Sequence, residues 1–119
     1  MQLNHLDLQV PDVQALATFL EQHFDLVRRS NDRSPAIAIL ADDAGFSLVI
    51  QRRTDEAPYP EGFHIGFIQT TAVAVREHHA RLVAAGVDTG PVDVNARGTR
   101  FYLKVPGELL VEVSSPERS

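Results

Sequence analysis

Residues 4–24, NHLDLQVPDVQALATFLEQHF, and residues 63–86, FHIGFIQTTAVAVREHHARLVAAG, are two versions of one pattern, with His64 following His5 after 59 positions. Each stretch opens on a histidine in a short alternating segment and runs into a segment of helical spacing. In the first, Leu6, Leu8 and Val10 take every second position, as in a strand with one apolar face. The strand ends at Pro11, which cannot donate to a ladder. Asp12 then stands as a helix cap, and Val13, Leu16, Ala17, Leu20 and Phe24 recur at helical spacing on one face. In the second stretch Phe63, Ile65 and Phe67 alternate. A helix over about 72–85 follows, with Val75, Leu82 and Val83 as its apolar stripe and Gly86 as a left-handed stop. Because strand side chains alternate, His5 and His64 both leave the face opposite the one that packs on the helix.

Outward from these stretches the two halves continue alike. Strands are predicted over 26–30, 36–41 and 46–51, the last two joined by the turn Asp42-Asp43-Ala44-Gly45. Residues 52–62 are polar and carry Pro58, Pro60 and Gly62, which marks a connection. Strands near 92–95, 99–105 and 109–114 complete the second half, with Pro106-Gly107 turning between the last two. Each half reads βαβββ. The expected class is α+β: two tandem βαβββ modules forming curved sheets around a pocket, in a single domain over 1–119 with module one at about 1–52, a connection at 53–62 and module two at about 63–115.

Composition narrows the chemistry. The chain has 119 residues, 44% of them hydrophobic, enough for one small core and no separate substrate domain. A net charge of −5 without a basic run argues against nucleic acid and anionic membrane as partners. The absence of cysteine excludes a thiolate nucleophile, a disulfide framework and a Cys-ligated zinc or iron–sulfur site. Any metal here must take nitrogen and oxygen ligands. The first residues, MQLNHLDLQV, have neither the basic nor the long apolar region of a leader, and a cytoplasmic location is expected.

Such ligands are at hand. In LLVEVSS, residues 109–115, Glu112 lies on the opposite side of the strand from Leu109, Val111 and Val113. With His5 and His64 it gives two imidazoles and one carboxylate, a facial triad of the kind that suits Fe(II) or Mn(II) and leaves positions open for a small-molecule substrate. Zn(II) and Ni(II) are further candidates. Replacing Glu112 by Gln is expected to lower the metal stoichiometry sharply while scarcely altering metal-free stability.

The same residues carry a family resemblance. Asn4-His5-Leu6 with Leu8 and Val10, Phe63-His64-Ile65, Ala84-Ala85-Gly86-Val87, and Phe101-Tyr102-Leu103 through Pro106-Gly107 to Val111-Glu112-Val113 resemble the vicinal oxygen chelate superfamily. That superfamily includes glyoxalase I, extradiol dioxygenases, fosfomycin-resistance thiol transferases and bleomycin-binding proteins. The resemblance covers essentially the whole chain. It implies paired βαβββ modules, His5, His64 and Glu112 as metal ligands, and a homodimer in which modules can be exchanged between chains.

The repeat also tests which branch the chain resembles. Counted from the turns, Val49 is the counterpart of Glu112, and valine cannot coordinate. Resemblance to glyoxalase I would call for a fourth ligand at that place, so dioxygenase-like or thiol-transferase-like chemistry is favoured. Gln51, two residues on, is a possible substitute, and Asp7 faces the same pocket, where it either orients an imidazole, meets a cationic group or simply faces water. Tyr102 and Arg100 are candidates for stabilising developing charge, although a tyrosine at this place more often serves packing. His78 and His79 fall on the helix, on the wrong side for a shared site. The rival reading is a metal-free protein that sequesters a drug-like cationic guest, as bleomycin-binding relatives do.

Overall fold

A computed structural model describes residues 1–31, 33–55 and 57–119, so Glu56 of the predicted connection lies outside the described residues. Two compact units emerge, Met1–Pro58 and Tyr59–Ser119. The first comprises β1 (His5–Val10), α1 (Val13–Phe24), β2 (Val27–Arg28), β3 (Ile37–Ala41) and β4 (Ser47–Arg52). Its four strands form one sheet in the order β1-β4-β3-β2, with β1 and β4 parallel and the other pairs antiparallel. The second unit repeats this with β5 (His64–Ile68), α2 (Ala72–Ala84), β6 (Asp93–Asn95), β7 (Gly98–Val105) and β8 (Leu109–Ser115), in the order β5-β8-β7-β6. The molecule is thus the α+β fold of tandem βαβββ modules that the repeat announces.

The helices form where sequence signals place them. The Asp12 carboxylate accepts from Ala15 N at 3.1 Å, and Thr71 Oγ1 accepts from Ala74 N at 3.0 Å, each satisfying an orphan donor of the first turn. α1 buries Val13, Leu16, Ala17, Leu20 and Phe24 against Leu8, Val10, Ala38, Leu40, Leu48 and Ile50 of its own sheet's apolar face. Each fully buried aliphatic side chain in that layer contributes about 1.5–3 kcal/mol by leaving water. In the second unit Phe101, Leu103, Val105, Leu109, Val111 and Val113 are buried, as are Ala72, Val75 and Leu82 of α2.

Two expectations need correction. Val83 is 54% exposed, and His78, at 4%, takes part in the buried stripe of α2 instead. Residues 75, 78 and 82 follow one ridge of the helix, and the His78 ring fills the place against Phe101, edge to face at 6.0 Å between centroids. Val83 lies about 100° round the helix from Leu82 and so leaves the ridge. The strand expected over 26–30 shrinks to Val27–Arg28, because a side chain of the same segment takes a place in its ladder: Arg29 N still donates to Ile39 O at 2.7 Å, but Ile39 N donates to the Ser30 hydroxyl at 2.8 Å.

Candidate functional site

Strand register places the polar residues of the second unit on one sheet face. Across β5, β8 and β7 the paired positions run His64, Leu110 and Lys104, then Gly66, Glu112 and Tyr102, then Ile68, Ser114 and Arg100. Tyr102 is directly opposite Glu112, and His64 and Arg100 stand on diagonals from it. Gly66, with no side chain, leaves the β5 side of that rung open to the carboxylate.

The carboxylate is held from three sides. Tyr102 donates its hydroxyl to Glu112 Oε2 at 2.5 Å, Arg100 Nη1 lies 3.4 Å from Oε1, and His64 Nε2 lies 3.7 Å from Oε2. The His64 ring meets Tyr102 edge to face at 5.8 Å between centroids. Burial pushes the Glu112 carboxyl up, but the Tyr102 hydroxyl, the Arg100 guanidinium, Ser114 and His64 outweigh it and bring the group below the usual glutamate value. Glu112 is therefore an anion at neutral pH. Tyr102 moves the other way, raised by its hydrogen bond to Glu112 and by burial against the opposing effect of Arg100, so it remains a protonated donor.

His64 is oriented as a ligand would be. Its Nδ1 is 2.8 Å from the carbonyl oxygen of Gly62, so Nδ1–H donates there and the neutral ring keeps its lone pair on Nε2, the atom facing Glu112. One imidazole nitrogen and one carboxylate oxygen 3.7 Å apart are within reach of a single divalent cation at the usual bond lengths of roughly 2.0–2.2 Å. In donor type and spacing the pair fits such an ion. In neither unit do three His, Asp or Glu side chains among the described residues gather around one point.

The first unit carries a matching face. In the parallel pair β1–β4, His5 is opposite Ser47, Asp7 opposite Val49 and Gln9 opposite Gln51. The module-to-module correspondence drawn from the turns is thereby reproduced by register: Asp7 occupies the rung of Gly66 and Val49 that of Glu112. His5 Nδ1 lies 2.8 Å from Asn4 Oδ1, which like the Gly62 contact leaves Nε2 as the lone-pair nitrogen. Asp7 accepts from Gln51 Nε2 at 2.5 Å, a diagonal pair across β1 and β4, and Val49, directly opposite Asp7, offers only a methyl surface.

Sequence reasoning missed a supporting loop. A groove of about 420 Å³ within the second unit is lined by Asp88, Thr89, Gly90, Tyr102, Lys104 and Leu110. Its loop is fixed by His79, whose Nε2 lies 2.9 Å from Gly90 O and 3.1 Å from Thr89 Oγ1, and by Gly90 N donating to Tyr102 O at 2.8 Å. A Cβ on Gly90 would stand 2.9 Å from that Tyr102 oxygen, so glycine is what allows the loop to lie so close. The signal was present in Thr89-Gly90 following the helix stop, but nothing local linked it to His79. Arg100 is legible in the sequence as a site residue, yet not as a side chain only 9% exposed.

Comparison with known proteins follows from the whole chain. The family model described as Glyoxalase/Bleomycin resistance protein/Dioxygenase superfamily matches residues 2–113. No curated protein matches the chain. Among solved structures it is similar to a possible glyoxalase from Bacillus cereus, with 34% identity, 96% of this chain and 98% of that chain covered, and a TM-score of 0.84. It is also similar to a lactoylglutathione lyase from Agrobacterium tumefaciens at 17% identity, covering 96% and 92%, with a TM-score of 0.79. The fosfomycin resistance protein FosX from Listeria monocytogenes, as an E126Q mutant complexed with Mn(II) and 1S,2S-dihydroxypropylphosphonic acid, is 22% identical, with 96% and 91% covered and a TM-score of 0.78. These last two likenesses speak to the fold.

Proposed function

The chain belongs to the glyoxalase/bleomycin resistance protein/dioxygenase superfamily, and from that premise we propose that it is a divalent-metal-dependent enzyme acting on a small organic molecule with adjacent oxygen atoms. The observation that carries this is the His64–Glu112 pair, with the Nδ1 of His64 tied to Gly62 O and Nε2 left facing the carboxylate at 3.7 Å. His64 and Glu112 are two of the ligands, and His5, its Nε2 likewise left as acceptor, is the third. That Mn(II) occurs in a FosX of the same fold supports an ion of this kind. Once bound, the metal supplies Lewis-acid polarisation of the substrate oxygens.

The chain's own residues do the rest. Tyr102, a donor throughout the neutral range, fixes the direction of Glu112 and at the same time lines the groove beside Lys104 and Leu110. We assign that groove, of a size usual for small-ligand sites, to the body of the substrate. Asp7, held by Gln51, and Val49 furnish the ligand-facing surface of module one. Since valine stands where a fourth ligand would be needed, the reading is dioxygenase-like or thiol-transferase-like rather than that of glyoxalase I.

The deciding measurement is titration of protein stripped of metal with Mn(II), Fe(II) and Zn(II), beside His64→Ala and His5→Ala. Loss of a ligand should weaken binding by more than about 100-fold, beyond the 10–100-fold that supporting residues typically cost. If the parent protein binds none of these ions more tightly than a variant carrying both His5→Ala and His64→Ala, the metalloenzyme reading fails.

A further inference from the structure

Arg100 is nearly buried yet poorly satisfied. It is 8% exposed, its Nη1 makes one long contact of 3.4 Å to Glu112 Oε1, its Nη2 lies 3.3 Å from Arg97 O, the Tyr102 hydroxyl adds a neutral contact, and its Nε is buried with no hydrogen-bond partner among the described residues. A guanidinium facing a carboxylate ordinarily forms two short parallel bonds. Here Tyr102 holds Oε2 and turns it toward His64, which leaves Arg100 only the far oxygen. A ligand anion does not come to Nε, because that atom is closed off from solvent. What the guanidinium does face is the outer flank of the carboxylate whose inner flank faces His64.

We propose that Arg100 limits the divalent-cation affinity of this centre, by sharing the charge of Glu112 and repelling any cation seated between Glu112 and His64. The inference rests on the metal reading above. Arginine is permanently charged, so its effect does not titrate away in the physiological range. Repulsion between a monovalent and a divalent cation several ångströms apart remains worth at least about tenfold in affinity at the effective dielectric of a partly buried site. The same pairing gives Glu112 a counter-charge while no metal is bound. Arg100 is thus a positioning and affinity-setting residue that acts through Glu112.

The test measures Mn(II) dissociation constants, by calorimetry or by the electron paramagnetic resonance of free Mn(II), for the parent, Arg100→Met and Arg100→Lys. The methionine variant should bind at least about tenfold more tightly, and the lysine variant, which keeps the charge, within about threefold of the parent. Arg100→Gln carries the same expectation as Arg100→Met and takes its place where the methionine variant does not fold. A parent that binds Mn(II) while the uncharged variants bind it no more tightly overturns the role of Arg100 and leaves the metal reading standing. Absence of binding in the parent and in every variant overturns both.

Discussion

Gly98→Ala should destabilise the protein by roughly 3–5 kcal/mol, lowering its denaturation midpoint by a large fraction of the total stability of such a small chain. Gly98 opens β7 with φ of 122°, a region that residues with a Cβ avoid. Space is equally prohibitive, since a Cβ would stand 1.9 Å from Ser115 O, 2.8 Å from Pro116 Cα and 2.9 Å from Pro116 C. All three are backbone atoms and cannot swing aside. They belong to the end of β8 and the segment that follows it, in which Glu117 O accepts from Thr99 Oγ1 at 2.7 Å and Glu117 Oε1 accepts from Ala72 N at 3.0 Å. The latter bond puts a carboxylate at the N-terminus of α2, where the helix dipole favours it. Moving this segment to admit a methyl group sacrifices both bonds. Gly45→Ala is the control: φ is 87° there, but among the described residues nothing lies within 4 Å of the added carbon, so only the backbone cost of about 1 kcal/mol applies. Equal denaturation midpoints for the two variants would show that the close approach at Gly98 carries no energy.

Where the sequence spoke clearly, it did so through period and punctuation. Pro11-Asp12 ended β1 and capped α1, and alternation in both modules put His5 and His64 on the faces where they are found. The position of Val49 was legible because a turn fixes register, and a register slip of one residue would turn every side chain over. Packing decided what remained hidden. The choice of His78 over Val83 for the ridge of α2 depends on the ring of Phe101, a residue on another element. The pairing of Asp7 with Gln51 spans 44 residues, and no local pattern announces it. Arg100 read as an accessible cation because arginine usually is one. Its burial arises from the rung shared by Ser114 and the diagonal to Glu112, which only the β7–β8 register brings together.

Glu112→Gln should lower metal-free stability by about 2–4 kcal/mol, reversing the expectation drawn from sequence that this change is nearly silent. The Glu112 side chain is 15% exposed and that of Arg100 9%, so removing the anion leaves a buried guanidinium with neutral partners, Arg97 O at 3.3 Å and the Tyr102 hydroxyl, beside a neutral amide. Tyr102 can still donate to the amide oxygen, which places most of the loss in the Arg100 pairing. A double-mutant cycle isolates it: in an Arg100→Met background, Glu112→Gln should cost much less. Acid gives an independent check. A carboxyl whose folded value is depressed contributes stability that is fully present above its unfolded value, ordinarily near 4.5, and is lost as the pH falls through the lower folded value. The difference between parent and Glu112→Gln should therefore be level near neutrality and shrink below about pH 4.5. Chemical denaturation of both proteins, stripped of metal, from pH 7 to pH 3 measures this. A gap that stays constant over that range would mean that the carboxylate's charge contributes nothing to the fold and that Glu112 is held for its ligand role alone.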